Sequence, residues 1–482
     1  MESIRPKVVR SGFWSLGGNW FSRLLGIIKM IILARLLSPL DFGIIGLAIL
    51  SINTLNVFSE TGIESALIQR HKIGRPELDM AWTIGIIRGL VLFILLYLSA
   101  GGIASYFDNM TLKPILRAMS ATFLLGGFTN IGIVYFQKEL NFKKKVILDS
   151  AADIAGALSA VCLAFYMRNV WALVTGTIVW VVVKGLASYR LHPYRPKIRW
   201  DWPVAKNLLN FGKHIFWISV VTFIVTSGDD ALVGKLLGLT LLGFYTMAYN
   251  IANIPVSSLA GVTGKISFPA YSLMEKEPDR LRAAFVQVFE AVVIFLLPLT
   301  GLIILLARDF TLVCLGEKWL PMVPALKVLC LLGLFRSISN LFAPVQLAMN
   351  KPNIQSRNKT IELLAFIVLV YPFTAKWGLI GASWSVTLVY AISALINTID
   401  TSRLLSPLGI NLIKSLIFPS LLLAILIFNI SILMTFLSVE ILYLRFLFII
   451  SLSLFTYGSA LIIFKRQFLL SVFPFLSGGN NY

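Results

Sequence analysis

Apolar stretches of roughly twenty residues alternate with short polar joints along this chain, and the pattern recurs fourteen times. A run of that length satisfies its own backbone hydrogen bonds only as a helix when lipid surrounds it, so each reads as a membrane-spanning segment. The predicted spans are 13–34, 42–68, 81–105, 115–136, 146–166, 170–189, 208–234, 240–263, 285–307, 322–348, 360–376, 378–400, 413–436 and 441–464. The predicted fold class is therefore an all-α polytopic membrane protein with about 14 transmembrane helices.

A second pattern lies over the first. Gly12 to Gly43 aligns with Gly212 to Gly243 without a gap, placing Ala34-Arg35-Leu36-Leu37-Ser38 on Gly234-Lys235-Leu236-Leu237-Gly238. The shift moves the chain by an even number of spans, so the two copies keep one orientation, as parallel repeats do. The predicted organisation is a six-helix lobe over 1–200, a second over 201–404, two additional helices over 405–466 and a cytoplasmic tail over 467–482. Parallel repeats place a substrate site between two lobes related by an axis along the membrane normal.

Composition agrees with the pattern: 57% of the 482 residues are hydrophobic and 13% are charged, about half the charge of a soluble domain. A net charge of +20 raises the question of nucleic acid, but Lys and Arg collect in short joints, which is the signature of cytoplasmic loops. With the N-terminus inside, the inner joints hold 25 Lys and Arg, Lys138, Lys143, Lys144, Lys145, Arg195, Lys197 and Arg199 among them, against 7 in the outer joints. Both termini are predicted to be cytoplasmic, and no nucleic-acid partner is expected. Cys162, Cys314 and Cys330 lie in or beside apolar stretches without metal spacing and read as small buried hydrophobes. The first apolar stretch is too long for a cleaved signal core and is read as a retained helix.

Charge inside a span costs about 2.5–3.5 kcal/mol at a helix centre, so each instance is a candidate site. The first span carries Ser15, Asn19, Ser22, Gly26 and Lys29 at helical spacing, with Arg23 beside that stripe near the midplane. Arg336 in the tenth span, one turn from Asn340, is a second deep cation. Arg88 and Lys29 are shallower, and each either faces a cavity or snorkels to the interface. Asn19, Arg23, Lys29, Arg88 and Arg336 form the candidate substrate-binding set. Asp229 and Asp230, aligned by the repeat with Lys29 and Met30, are candidates for ion coupling; the alternative is an outer-interface pair balanced by Lys235. Glu60, Glu64, Asp149, Asp153 and Glu362 read as locally paired carboxylates at the cytoplasmic edge. No nucleophile–base set, metal-ligand spacing or phosphate loop occurs, so neither an enzyme nor a cofactor is expected.

Certain runs carry a resemblance. Ala-Arg-Leu-Leu-Ser-Pro-Leu-Asp-Phe-Gly at 34–43 and Phe-Ser-Glu-Thr-Gly-Ile-Glu-Ser-Ala-Leu-Ile-Gln-Arg at 58–70 resemble the Wzx-like polysaccharide transporter family. Phe-Pro-Ala-Tyr-Ser at 268–272, Glu-Pro-Asp-Arg-Leu-Arg at 277–282 and Leu-Gly-Glu-Lys-Trp-Leu-Pro-Met-Val-Pro at 315–324 extend the likeness. That family sits in the superfamily that includes MATE exporters and the lipid II flippase. The resemblance implies two six-helix bundles with two trailing helices. It also implies a flippase that carries polyprenyl-pyrophosphate-linked oligosaccharide across the cytoplasmic (inner) membrane for O-antigen, capsule or exopolysaccharide synthesis. The implied mechanism is alternating access through a cationic inter-lobe cavity, and the implied partners are the lipid-linked substrate, membrane lipids, and polysaccharide polymerase and chain-length machinery. The alternative within the superfamily is a MATE-type antiporter of drugs or organic cations.

Overall fold

The computed structural model describes residues 4–60, 62–69, 74–406 and 408–436, and residues 446–463 except 447, 454 and 460. The predicted tail over 467–482 and the first part of the span at 441–464 lie outside the described residues. Among the described residues every regular element is a helix and there is no strand. The helices are α1 (Ile4–Leu36), α2 (Pro39–Phe58), α3 (Ile63–Gln69), α4 (Arg75–Tyr106), α5 (Leu112–Gly127), α6 (Val134–Lys138) and α7 (Phe142–Met167). They continue with α8 (Trp171–Leu191), α9 (Trp202–Leu237), α10 (Leu239–Ser272), α11 (Pro278–Phe310), α12 (Val323–Ala348), α13 (Pro352–Leu404) and α14 (Leu408–Phe436). Among the described residues eight helices are long and apolar enough to cross a membrane by length and composition, and a ninth crossing is available if the bent pair after α5 counts as one span. The protein is an all-α, multi-pass membrane protein.

Two predicted spans differ from the observed helices, each for a local reason, and a predicted break between two others is observed. The apolar run 42–68 is two helices. α2 ends at Phe58, where the Ser59 hydroxyl turns back onto the Leu55 carbonyl at 2.6 Å, and Gly62 takes φ 62° before α3 begins. The run 115–136 bends by 69° after α5. At the bend Asn130 is buried, accepts from the Gly132 amide at 2.9 Å, and receives the Ser188 hydroxyl as acceptor for its own amide at 3.0 Å. In α13, Gly378 has φ 58° and ψ −137°, so the predicted spans 360–376 and 378–400 are two helical segments joined at a kink.

The chain divides into two compact units, Met1–Thr246 and Met247–Tyr482. In the first, α1 packs on α7, α7 on α8, α4 on α5 and α5 on α8, with α2, α3 and α4 also meeting α9. The sequence repeat has a direct structural counterpart inside this unit. A Cβ built on Gly43 would stand 1.7 Å from the Leu239 carbonyl oxygen, and one built on Gly243 would stand 1.9 Å from that of Pro39. Residue 43 meets 239 and residue 243 meets 39, so the contact is reciprocal under the offset of 200. Two related helix N-termini therefore cross with their backbones in contact, a crossing that glycine permits because it has no Cβ.

Residues 192–201 run as an extended strap over the first half of α4 and the bend at Asn130. The Lys197 amide donates to Asp79 at 3.0 Å, the Arg199 amide to the Thr83 hydroxyl at 3.1 Å, and the Asn130 side-chain amide to the Tyr194 carbonyl at 2.8 Å. The Tyr194 hydroxyl also bonds Asp79, which is buried. At the end of the strap Trp200 and Trp202, the first residue of α9, are exposed and stack with centroids 6.2 Å apart, as side chains that settle at a membrane–water boundary do.

The second unit has an aromatic core of Tyr271, Phe285, Phe289 and Phe342, closed by Leu405, Leu408 and Leu412. The three cysteines are free. Cys330 is buried, but Cys162 lies on the exposed face of α7, which corrects the expectation that all three are buried.

Candidate functional site

The first unit holds an open cavity of about 770 Å³, within the range of small-ligand sites. Its walls are the last turns of α2, the first half of α4, the end of α5 and its bend, the first turns of α7 and the last half of α8. All of these lie at the end of the unit where α2 and α8 finish and α4 and α7 begin. Apolar side chains such as Ile49, Leu92 and Phe123 alternate in the wall with Asn53, Asn56, Trp82, Thr122, Gln137 and Trp180. Its charged residues are Arg88, Lys145, Lys184 and Asp149.

Each charge has a defined support. Arg88 donates through Nε to the Ser59 hydroxyl at 3.0 Å and through Nη2 to the Asn56 carbonyl and side-chain oxygen, both at 3.1 Å. These acceptors sit at the C-terminus of α2, where carbonyls lack helical partners and a cation is favoured. Lys184 pairs with Asp149 at 3.1 Å, and its ammonium lies 4.7 Å from the centre of the Trp180 ring. The Trp180 indole N–H donates to Asp153 at 2.8 Å, which fixes the ring plane. Asp153 is also the carboxylate that faces Lys29. Asp149 and Asp153 are one turn apart on α7, so one helix face holds both Lys184 and the Trp180 ring of α8. Three cations against one carboxylate leave the cavity cationic.

Of the sequence candidates, Arg88 lines this cavity. Lys29 does not line it. Asn19, on the exposed side of α1, and Arg23, half-buried on the same helix, do not line it. Arg336 lies in the second unit, where Nη1 donates to the Tyr249 hydroxyl at 2.6 Å and the guanidinium lies 5.7 Å from the Tyr390 ring centre. Asp229 is buried and accepts from the Tyr245 hydroxyl at 2.5 Å; Asp230 follows it on α9. Lys235 reaches elsewhere, to the Tyr106 carbonyl at 2.6 Å and to Asp108 at 2.8 Å. Lys145 and Lys184 are functional candidates that sequence reasoning assigned to a loop or passed over. Lys184 falls inside a predicted span, the same signal that marks Arg88.

The second unit holds a separate buried polar cluster between α12 and the two segments of α13. Glu362 accepts from Lys359 at 2.9 Å and from the Ser393 hydroxyl at 2.7 Å. Asn358 donates to Asn397 and to Asp400, both at 3.0 Å, and Gln346 donates to Asn397 at 3.0 Å. Arg357 pairs with Asp400 at the rim. Glu362 is thus locally paired, as its position suggests.

Outside the spans, His192 stacks on Tyr135 with ring centres 5.6 Å apart. Burial lowers its pKa below the usual imidazole value, and Lys144 and Arg195 lower it further against the opposing pull of Glu139. Burial, then the Asp79 carboxylate, raises the Tyr194 hydroxyl well above its ordinary value, so it stays a donor. Among the described residues no group of three or more His, Cys, Asp or Glu side chains is placed to hold a metal ion.

Known proteins share this architecture. The chain is 26% identical over 400 residues to the lipopolysaccharide biosynthesis protein WzxC of Escherichia coli (strain K12), covering 82% of this chain and 80% of that one. Its fold matches the lipid II flippase MurJ in an inward closed conformation with a TM-score of 0.73 at 18% identity, over 95% of this chain and 99% of MurJ. It also matches an inward-facing multidrug-resistance MATE transporter of the MOP superfamily, with a TM-score of 0.64 at 16% identity over 80% and 95% of the two chains. The polysaccharide biosynthesis protein family matches residues 32–324, more than half of the sequence, and the chain belongs to that family.

Proposed function

We propose that this protein is a flippase that moves a polyprenyl-pyrophosphate-linked oligosaccharide from the inner to the outer leaflet of the cytoplasmic membrane for surface polysaccharide synthesis. The observation that carries the reading is the cationic, partly aromatic cavity inside a membrane-embedded unit. Its three cations offer charge-assisted hydrogen bonds to a pyrophosphate, and the guanidinium fork of Arg88 suits anionic oxygens best. Asn53, Asn56, Gln137 and the Trp180 ring offer the mixture of amide and aromatic surface that a sugar needs.

The cavity lies at the end of its unit that the joint charges assign to the cytoplasm, where the lipid-linked sugar would be loaded. Alternating exposure of the loaded site then delivers the head group outward while the polyprenyl tail stays in lipid. In this reading both termini are cytoplasmic. Arg23, Lys29 and Arg336 serve as further cationic contacts along the crossing, and Asp229 and Asp230 as the groups that couple it to an ion. Export of organic cations, the alternative within the superfamily, calls for an acidic cavity, and the lining here carries three cations to one carboxylate.

The test is transport into sealed vesicles that contain this protein alone. A defined lipid-linked oligosaccharide added on the outside should become protected from a glycosidase that cannot cross the bilayer. Protection no faster than in protein-free vesicles, with the protein shown to be folded and inserted, would overturn the proposal.

A further inference from the structure

The polar cavity has an apolar neighbour. A groove of about 230 Å³ is lined by Ser59, Ile84, Ile87, Arg88, Val91, Leu92, Trp200 and Ala205. Arg88 and Leu92 belong to both walls, so one arginine marks the boundary between a wet, cationic compartment and an oily one. The groove opens outward: Ile87 and Val91 on its rim are exposed, and the same face of α4 continues through Ile94, Leu95 and Leu98, all exposed. On a transmembrane helix such a stripe faces lipid, so the groove joins the cavity to the hydrocarbon beside α4.

We propose that this groove seats the first isoprene units of the substrate, with the pyrophosphate at Arg88 and the sugar in the cavity beyond. The inference rests on the head-group reading above and adds the path of the tail. The chemistry of the junction selects the occupant. A polyprenyl pyrophosphate is an anion at the meeting point of a polar head and an apolar tail, and Arg88 is a cation at the meeting point of a polar and an apolar compartment. Ser59 and Asn56 hold the guanidinium at that boundary, with bonds of 3.0 and 3.1 Å. Trp200, at the end of the strap, closes the groove on the side away from the cavity. The tail thereby leaves between α4 and the strap and runs along α4 in lipid.

Photolabelling tests the path. The full-length protein in phosphatidylcholine nanodiscs is irradiated with farnesyl pyrophosphate carrying a diazirine on its first isoprene unit, and labelled residues are mapped by mass spectrometry. Label should concentrate on Ile84, Ile87, Val91, Leu92 and Trp200. Inorganic pyrophosphate at ten times its own Kd should reduce it roughly tenfold. Val91→Trp, which fills the groove from its lipid rim, should remove that label, whereas Leu98→Trp farther along the stripe should not; Ile87→Trp serves if Val91→Trp inserts poorly. Label spread evenly over Leu90, Leu95 and Leu98 and unchanged in Val91→Trp would mean ordinary lipid contact and would overturn the groove.

Amine acylation of Lys184 separates the two claims. If inorganic pyrophosphate slows acylation while no label enters the groove, the tail path fails and the head-group reading stands. If pyrophosphate leaves acylation unchanged, the head-group reading fails and the groove falls with it.

Discussion

Gly43→Ala and Gly243→Ala test whether the sequence repeat is a physical crossing of related helix ends. The added methyl at residue 43 would begin 1.7 Å from the Leu239 oxygen, and at residue 243 it would begin 1.9 Å from the Pro39 oxygen. Ordinary carbon–oxygen contact needs well over 3 Å, so α2 and α10 must separate by more than 1 Å to admit either one. Overpacking of this kind costs about 1–3 kcal/mol, and backbone, unlike a side chain, has no other rotamer to adopt. The reciprocal geometry makes the two costs dependent on each other. Once the helices have parted for one methyl, the second enters a gap already opened. The double variant should therefore lose less stability than the sum of the singles, by at least about 0.5–1 kcal/mol of coupling. The assay is the thermal midpoint for loss of monodisperse protein in detergent, measured for wild type, both singles and the double. Strict additivity, or a single variant with a wild-type midpoint, would refute the crossing.

Further outcomes follow from the strap and the loop charges. Asp79→Ala leaves the Lys197 amide and the Tyr194 hydroxyl without their buried acceptor, which should cost about 1–3 kcal/mol and speed hydrogen exchange over 192–201; unchanged exchange would contradict that role. His192 has a folded pKa below the unfolded value of about 6.5, so the folded state binds fewer protons and loses stability as pH falls through that value. Protection over the strap, taken relative to the intrinsic exchange rate at each pH, should fall between pH 7.5 and pH 5 in the wild type but not in His192→Phe, which keeps the ring stack; an equal fall in both would exclude the histidine. Single cysteines at Lys144 and Arg199 should react only with reagent on the cytoplasmic side, and one at Lys318 only from outside. Labelling at Lys144 from outside intact cells would reverse the topology.

Much of the fold is legible because lipid imposes one rule on every apolar run. The ends of α7, α8, α12 and α14 lie close to the predicted boundaries. The breaks are less legible: the polar run Ser59-Glu60-Thr61-Gly62 is short enough to be absorbed into one long apolar window, and 128–133 keeps Phe128, Ile131 and Ile133. What stops the helix is a hydroxyl returning to the Leu55 carbonyl, a left-handed Gly62, and the buried Asn130 side chain. The repeat is legible from Gly43 and Gly243, although the sequence does not reveal that the two glycines touch. The site is legible only at Arg88. Lys145 counts as a loop cation until the bend after α5 and the start of α7 bring it beside Arg88 and Lys184. The Asp149 and Asp153 spacing signals an organised helix face, but their partners, Lys184 and Trp180, come from α8.

The most direct test of the account is transport per folded molecule when the cavity cations are changed. Vesicles containing only the protein, loaded with a defined lipid-linked oligosaccharide, are compared for wild type, the Lys145→Gln/Lys184→Gln double variant and Arg88→Lys, with Arg23→Ala and Arg336→Ala in parallel. If the cavity of the first unit holds the pyrophosphate, the double variant should lose transport about tenfold or more, equivalent to about 1.4 kcal/mol, with its thermal midpoint near that of wild type. Arg88→Lys should retain part of the rate, because a point charge replaces a fork. Wild-type transport per molecule in both cavity variants, with loss in Arg23→Ala or Arg336→Ala, would contradict the account and move the anion to those residues.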